Sequence, residues 1–198
     1  MKKTFILVAI VFVCLFGLQA DAQVSHSSAP AIAIDTNNCL GDDGGDGVDG
    51  WSDTIAFAEA GTISDVDVTV EIDHTWRSDL QFHVEYSVGA AGAIILAADH
   101  GSSSGDNYYA TFDDEAATLC DDASMCGGDN VTCTDAGTAV TCQPDMALSA
   151  FDALTSPGTW TMFLCDDAGG DFGTWNTWTV TVDGDGDLPV ELMSFMVE

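Results

Sequence analysis

An all-β sandwich is the fold this sequence predicts, and three observations predict it. Segment after segment alternates apolar and polar residues with a period of two, as a strand with one buried face requires. Stretches rich in glycine and aspartate separate those segments and supply the residues that tight turns need. Beyond the first residues, no apolar stripe with helical spacing appears.

The chain opens with a secretory signal. Lys2 and Lys3 precede the apolar run Thr4–Leu18, and Ala20-Asp21-Ala22 offers a small-x-small cleavage site before Gln23. That run is too short to span a bilayer comfortably, and no later segment could span one. The expected product is therefore exported and extracellular, with no membrane attachment. Residues 23–30 read as a polar leader without pattern. Ala31–Ile34 reads as a first edge strand, followed by the acidic glycine loop Cys39–Gly50. Asp42, Asp46, Gly47 and Asp53 fall at the first, fifth, sixth and twelfth positions of a helix-flanked calcium loop. Gly44 occupies the third, where a ligand belongs, and no helix flanks the loop, so that motif is rejected.

Asp53–Ala58 predicts a second strand, with Gly61 turning the chain. Ser64–Ile72 is the clearest strand, with Val66, Val68, Val70 and Ile72 inward and Asp65, Asp67, Thr69 and Glu71 outward. Burying those four side chains is worth about 6–12 kcal/mol before entropy is subtracted. Leu80–Val88 repeats the pattern through Leu80, Phe82, Val84, Tyr86 and Val88, which points His83 outward, and Ala93–Ala97 is a shorter apolar run. Two further strands come late. In Thr159–Cys165, Trp160, Met162 and Leu164 alternate with Thr161, Phe163 and Cys165, and in Trp175–Asp183, Trp178, Val180 and Val182 alternate with threonines. The hairpin turn between them, Asp166–Gly173, is acidic and glycine-rich.

Leu119–Gln143 is a polar insert carrying Cys120, Cys126, Cys133 and Cys142, with Cys39 and Cys165 outside it. Six cysteines in an exported chain imply disulfides, many pairings being open to them. Two local bridges within the insert plus Cys39–Cys165 is the expected set. Zinc held by Cys126 and Cys133 competes poorly, because no C-x-x-C pair or neighbouring histidine supports it. After residue 183 the chain continues as an acidic tail and ends in LPVELMSFMVE. That segment resembles the junction before a C-terminal sorting domain in some secreted bacterial proteins, and the expectation is of a chain without the sorting domain itself.

The formal charge of −30 excludes partners that need clustered cations to bind them. Nucleic acid and anionic membrane surfaces are out, since Arg77 is the one basic residue beyond the signal. Such acidity without aromatics would indicate disorder, but five tryptophans, ten phenylalanines and clear strand alternation argue against it.

Four stretches, taken in order, carry a family resemblance. They are Ile72-Asp73-His74-Thr75-Trp76-Arg77-Ser78-Asp79-Leu80; Ser104-Gly105-Asp106-Asn107-Tyr108 leading to Phe112-Asp113-Asp114-Glu115-Ala116; Leu148-Ser149-Ala150-Phe151; and GTWTMFLCDDAGGDFGTWNTWTVTV through Val182. Together they resemble the P domain (P/Homo B domain) found beside subtilisin-like proprotein convertases, over residues 31–183. The resemblance implies a jelly-roll sandwich of about eight strands, here with the disulfide-rich insert as a departure. It also implies a module that packs against a protease and stabilises it.

A catalytic role does not follow from the residues. Asp35-Thr36-Asn37 and His100-Gly101-Ser102 only faintly resemble the aspartate and histidine segments of a subtilisin-type triad, and no nucleophile segment follows. No enzyme activity is expected; a serine-endopeptidase label would describe the family's usual neighbour. His26, His74, His83 and His100 read as structural. Asp106, Asp113, Asp114, Glu115, Asp166 and Asp171 are the candidate metal ligands. Two carboxylates about 4 Å apart repel by about 4 kcal/mol at an effective dielectric near 20, and oxygen ligands on glycine loops suit Ca²⁺. Carboxylates merely hydrated and screened at the surface are the competing explanation. The expected partner is a subtilisin-like protease bound in trans. A calcium-dependent adhesion module gripping a cell-surface polysaccharide through Trp51, Tyr108, Tyr109 and Trp175 is the alternative.

Overall fold

The computed structural model describes residues 22–39, 50–100, 106–120 and 139–185. Nine strands form it: β1 (Ala22–Ser28), β2 (Ile32–Ile34), β3 (Trp51–His74), β4 (Leu80–Tyr86), β5 (Ile94–Ala98), β6 (Tyr108–Phe112), β7 (Val140–Cys142), β8 (Thr155–Asp166) and β9 (Gly173–Asp185). Short 3₁₀ turns sit at Arg77–Asp79 and Leu148–Phe151. The fold is all-β, as the alternation predicts.

Strand β3 organises the molecule. Its first half, from Trp51 to Thr62, pairs with β8, and its second half, from Thr62 to His74, pairs with β9. Val68–Ile72 pairs on its other edge with β6. The strand order is β1-β9-β3-β8-β4-β5, with β2 on β9 and β6 on β3 and β7. All these ladders are antiparallel except β6–β7, which is parallel. One layer thus comprises β1, β2, β9, the second half of β3, β6 and β7, and the other comprises the first half of β3, β8, β4 and β5. The layers face each other through side chains that share no ladder: Phe82 of β4 meets Tyr108 and Phe112 of β6 with ring centroids 5.0 and 5.6 Å apart. Trp178 of β9 donates its indole N–H to Asp53 of β3 at 2.7 Å. Trp160, Trp175, Trp178, Phe112, Phe151 and Ile34 fill the space between, each fully buried.

Three expectations are corrected. Gln23–Ser28 is not a patternless leader but most of an edge strand, register-paired with β9 from Ala22↔Gly184 to Ser28↔Trp178. Its short alternation of Val24, His26 and Ser28, half-buried, against exposed Gln23, Ser25 and Ser27 holds too little apolar surface to stand out in sequence. The serine hydroxyls instead bond those of Thr181 and Thr179, at 2.8 and 2.7 Å. Second, Gly61 does not turn the chain. The strands expected at 53–58 and 64–72 are one strand, and the register slips between Phe57 and Gly61 and again between Ile63 and Asp65. Bulges increase twist and bend a strand, which is how one segment serves two layers. Third, His83 faces protein rather than solvent: it is buried and stacks on Phe163 at 4.9 Å.

The disulfide Cys39–Cys165 is present as expected. Cys120 bonds Cys142, closing the insert at its base beside a parallel bridge between Leu119 and Gln143. Cys126 and Cys133 lie outside the described residues, as do the signal, most of the acidic loop at 40–49 and the LPVELMSF segment. Val140–Cys142, expected as part of the loop, is strand β7. No helix among the described residues is long and apolar enough to cross a membrane.

Candidate functional site

One end of the sandwich gathers most of the singled-out residues. Strand β3 ends at His74, and the turn Thr75–Asp79 lies against the β8–β9 hairpin. The two segments, some ninety residues apart along the chain, are tied by a dense set of bonds. Thr75 N–H donates to the Phe172 carbonyl at 3.2 Å, and the Thr75 hydroxyl donates to Asp171 at 2.9 Å. Phe172 N–H donates back to that hydroxyl at 3.2 Å, and Asp167 N–H donates to the Asp79 carbonyl at 2.8 Å. The chain leading to Cys39 joins the same turn, since the side chain of Asn37 donates to the Asp167 carbonyl and the N–H of Asn38 to that of Asp166. Gly173 makes the approach possible: a Cβ there would collide with the Asp73 carbonyl oxygen.

Within this knot the charges are buried. His74 is 2% exposed and Asp166 1%, with Nε2 and Oδ2 facing each other at 3.5 Å. The other ring nitrogen of His74 lies 2.8 Å from the Trp76 carbonyl. Burial pushes the Asp166 carboxyl up, against the opposing pull of the Ala168 N–H and His74. Asp79 is pushed up by burial and then by Asp166 and Asp171, and Asp167 by burial and then by Asp99 and Asp79. Arg77, the chain's one cation among the described residues, is completely buried in the same turn.

Beside the knot opens a cleft of ≈ 290 Å³, lined by Asp73, His74, Thr75, Asp106, Asn107, Phe172, Gly173 and Thr174. Asn107 sits in the left-handed region at φ 60° and is held from both sides: its N–H donates to the His74 carbonyl at 2.8 Å, and its Oδ1 accepts from the His74 N–H at 3.0 Å. Asp73 accepts from the Tyr109 hydroxyl, and from Asn176 at 2.9 Å. Phe172, on the rim, is 66% exposed. Sequence reasoning did not single out Phe172, because an aromatic inside a glycine-aspartate turn carries no periodic signal.

The six candidate metal ligands divide. Asp106 lines the cleft, Asp171 braces its wall, and Asp166 lies in the buried pair with His74. Asp113, Asp114 and Glu115 belong to a second region, on the outer face of the layer holding β9. There Asp65 stands directly across from Asp183 in the ladder, and Asp67 lies one pleat along. The Asp67 carboxyl is pushed up to about 6, by burial first and then by Asp113, Asp65, Asp183 and Glu115. Glu115 is raised through its bond with Asp113. Asp114 is spent otherwise, accepting the Leu148 and Ser149 N–H groups at 2.9 Å each and so capping the 3₁₀ turn. Among the described residues, no three His, Cys, Asp or Glu side chains converge as a metal shell.

The aromatic platform expected for polysaccharide is not there. Tyr108 and Trp175 are fully buried, Tyr109 is 4% exposed, and Trp51 is half-buried. A bulge explains Trp175: Glu71 pairs with Thr177 and Ile72 with Trp175, so Asn176 is the extra residue that lets Trp175 and Trp178 face the same core.

No protein-family model matches the sequence, and no curated protein matches it either. The fold is similar to part of two solved structures. One is Aeromonas sobria serine protease in complex with a chaperone, at 17% identity and TM-score 0.48, over 84% of this chain and 27% of that one. The other is the serine protease of Aeromonas sobria itself, at 17% identity and TM-score 0.46, over 85% and 28%. The chain thus spans about a quarter of the length of the structures it matches, and a likeness of that size carries no argument about function.

Proposed function

We propose that this chain is a secreted, non-catalytic P/Homo B-like module that binds a subtilisin-like protease in trans. One observation carries the reading. Two of the stretches that carry the resemblance, Ile72–Leu80 and the turn Asp166–Gly173 within the last one, are far apart in sequence yet form a single bonded unit through Thr75, Asp79, Asp167 and Phe172. The two disulfides fit an oxidising compartment. The histidines are engaged in ways that suit structure: His26 with Glu59, His74 with Asp166, His83 with Phe163 and His100 with Asp145.

Immobilised full-length chain tests the proposal. Exposed to the native secretome, it should retain a protease that reacts with a fluorophosphonate serine-hydrolase probe, and the melting temperature of that protease should rise when the chain is added. Retention on insoluble polysaccharide, with no labelled protease bound, would sink it.

A further inference from the structure

The cleft at the end of β3 has a more definite use, which rests on the reading of the chain as a module that binds in trans. We propose that it receives one guanidinium or ammonium side chain of a protein partner, its stem lying on Phe172 and its charged head at Asp106.

The cleft is built before any ligand arrives. Thr75 is fastened to Asp171 and Phe172, and Asn107 is fastened to His74 through both its backbone and its side chain. Rigid walls lower the ordering cost of binding. The volume of ≈ 290 Å³ accommodates one long side chain with a few waters. Phe172 is 66% exposed and its backbone is bonded to Thr75 through both its N–H and its carbonyl, so the backbone that presents its ring at the rim is already fixed. A flat ring beside a carboxylate suits a cation with a hydrocarbon stem, because the stem covers the ring and the head meets both the π-face and the acid.

The carboxylates narrow the choice. Asp73 is already bonded to Tyr109 and Asn176, and Asp171 to Thr75. Asp106, half-buried on the lining, makes no side-chain hydrogen bond to a described residue. The chain has no described cation of its own to offer it, since Arg77 is completely buried in the neighbouring turn. In a chain of formal charge −30, a cationic ligand is favoured over a neutral sugar by the field of the whole molecule as well as by the local acid.

The test uses the full chain, isotope-labelled, titrated with N-acetyl-arginine amide, its uncharged isostere N-acetyl-citrulline amide, and glucose. Arginine amide should shift the backbone amides of Asn107, Phe172 and Thr174, and citrulline amide should not. Asp106→Asn should weaken binding roughly three- to tenfold and Phe172→Ala roughly two- to fivefold, with the remaining spectrum confirming that both variants fold. Absence of shifts at those amides, or equal response to citrulline amide or glucose, overturns the assignment. The protease capture is then repeated with both variants. If wild type captures a protease and the variants do so equally well, the cleft is not the docking point although the module reading survives. If wild type captures none while arginine amide still titrates the cleft, the module reading fails and the cation site stands.

Discussion

Asp67 shows how far a residue's surroundings reach beyond its place in a pattern. The alternation of Ser64–Ile72 correctly turns it outward, and outward suggests a hydrated charge. The ladder then sets Asp65 against Asp183 beside it, and the chain after β6 brings in Asp113 and Glu115. None of those neighbours is legible from the strand itself, because they come from other strands and from the loop that follows one of them. With a folded value of about 6 against a reference of 3.8, the folded state holds the proton more tightly than the unfolded chain does. Its contribution to stability is therefore fully present below 3.8 and is lost as the pH rises through about 6. Unscreened, a shift of that size is worth about 3 kcal/mol, and partial exposure reduces it to about 1 kcal/mol. Asp67→Asn should raise the melting temperature above that window and leave it unchanged at the acid end. Parallel melts of the two proteins across the pH range would show the curves converging as the pH falls; curves that stay parallel would contradict the assignment.

At the scale of elements, strands with strong alternation were legible and their joins were not. Val66, Val68, Val70 and Ile72 are buried as expected, as are Trp160, Met162 and Leu164 and Trp178, Val180 and Val182. The bulges at Phe57/Gly61 and at Asn176 are not legible in the same way, since a bulge is defined by its register against the partner strand. His83 departs from its expected exposure for a related reason: strand alternation assumes an open outer face, whereas Phe163 of β8 covers that face here. Asp114 is the test case among turns. Its two bonds to the start of the 3₁₀ turn make it a cap, which on helix precedents is worth about 0.5–2 kcal/mol. Asp114→Ala should destabilise the fold by about that amount, and Asp114→Asn by less. The loss should be the same with and without a calcium chelator. A loss that vanishes under chelation would mean that Asp114 serves a bound ion instead.

The same contrast holds between the two disulfides. Cys39–Cys165 closes a separation of 126 residues and anchors the chain before β3 beside the hairpin, whereas Cys120–Cys142 spans 22. Loop entropy then predicts that replacing the first pair with serines costs about 4–5 kcal/mol and the second about 3 kcal/mol. Denaturant melts of the two double variants give that order directly, and an inverted order would show that native-state strain or residual denatured structure dominates.

For the whole molecule, charge is the largest unbalanced quantity. A formal charge of −30 with Arg77 sealed in a turn leaves the described surface acidic throughout, so self-repulsion must oppose compaction. The composition made that plain, but it did not show whether the acid would be neutralised by specific ions or by diffuse screening. The structure distributes the described carboxylates between a buried knot at His74–Asp166, a braced cleft at Asp106 and Asp171, and an open face at Asp65, Asp67 and Asp183, and among the described residues no three converge on one shell. Diffuse screening of these separated carboxylates has a definite signature in salt. Between about 0.01 M and 1 M salt the Debye length falls from about 30 Å to about 3 Å, and the melting temperature should climb across that range and level off as neighbouring carboxylates cease to feel one another. Sodium, potassium and calcium chlorides at matched ionic strength should trace one curve. A step at micromolar calcium, far below the concentration at which screening acts, would instead show a specific calcium site. Asp65→Lys, which sets an opposite charge across from Asp183, separates the two cases further: under screening it should flatten the salt curve by raising its low-salt end, because the repulsion that salt relieves has already been removed.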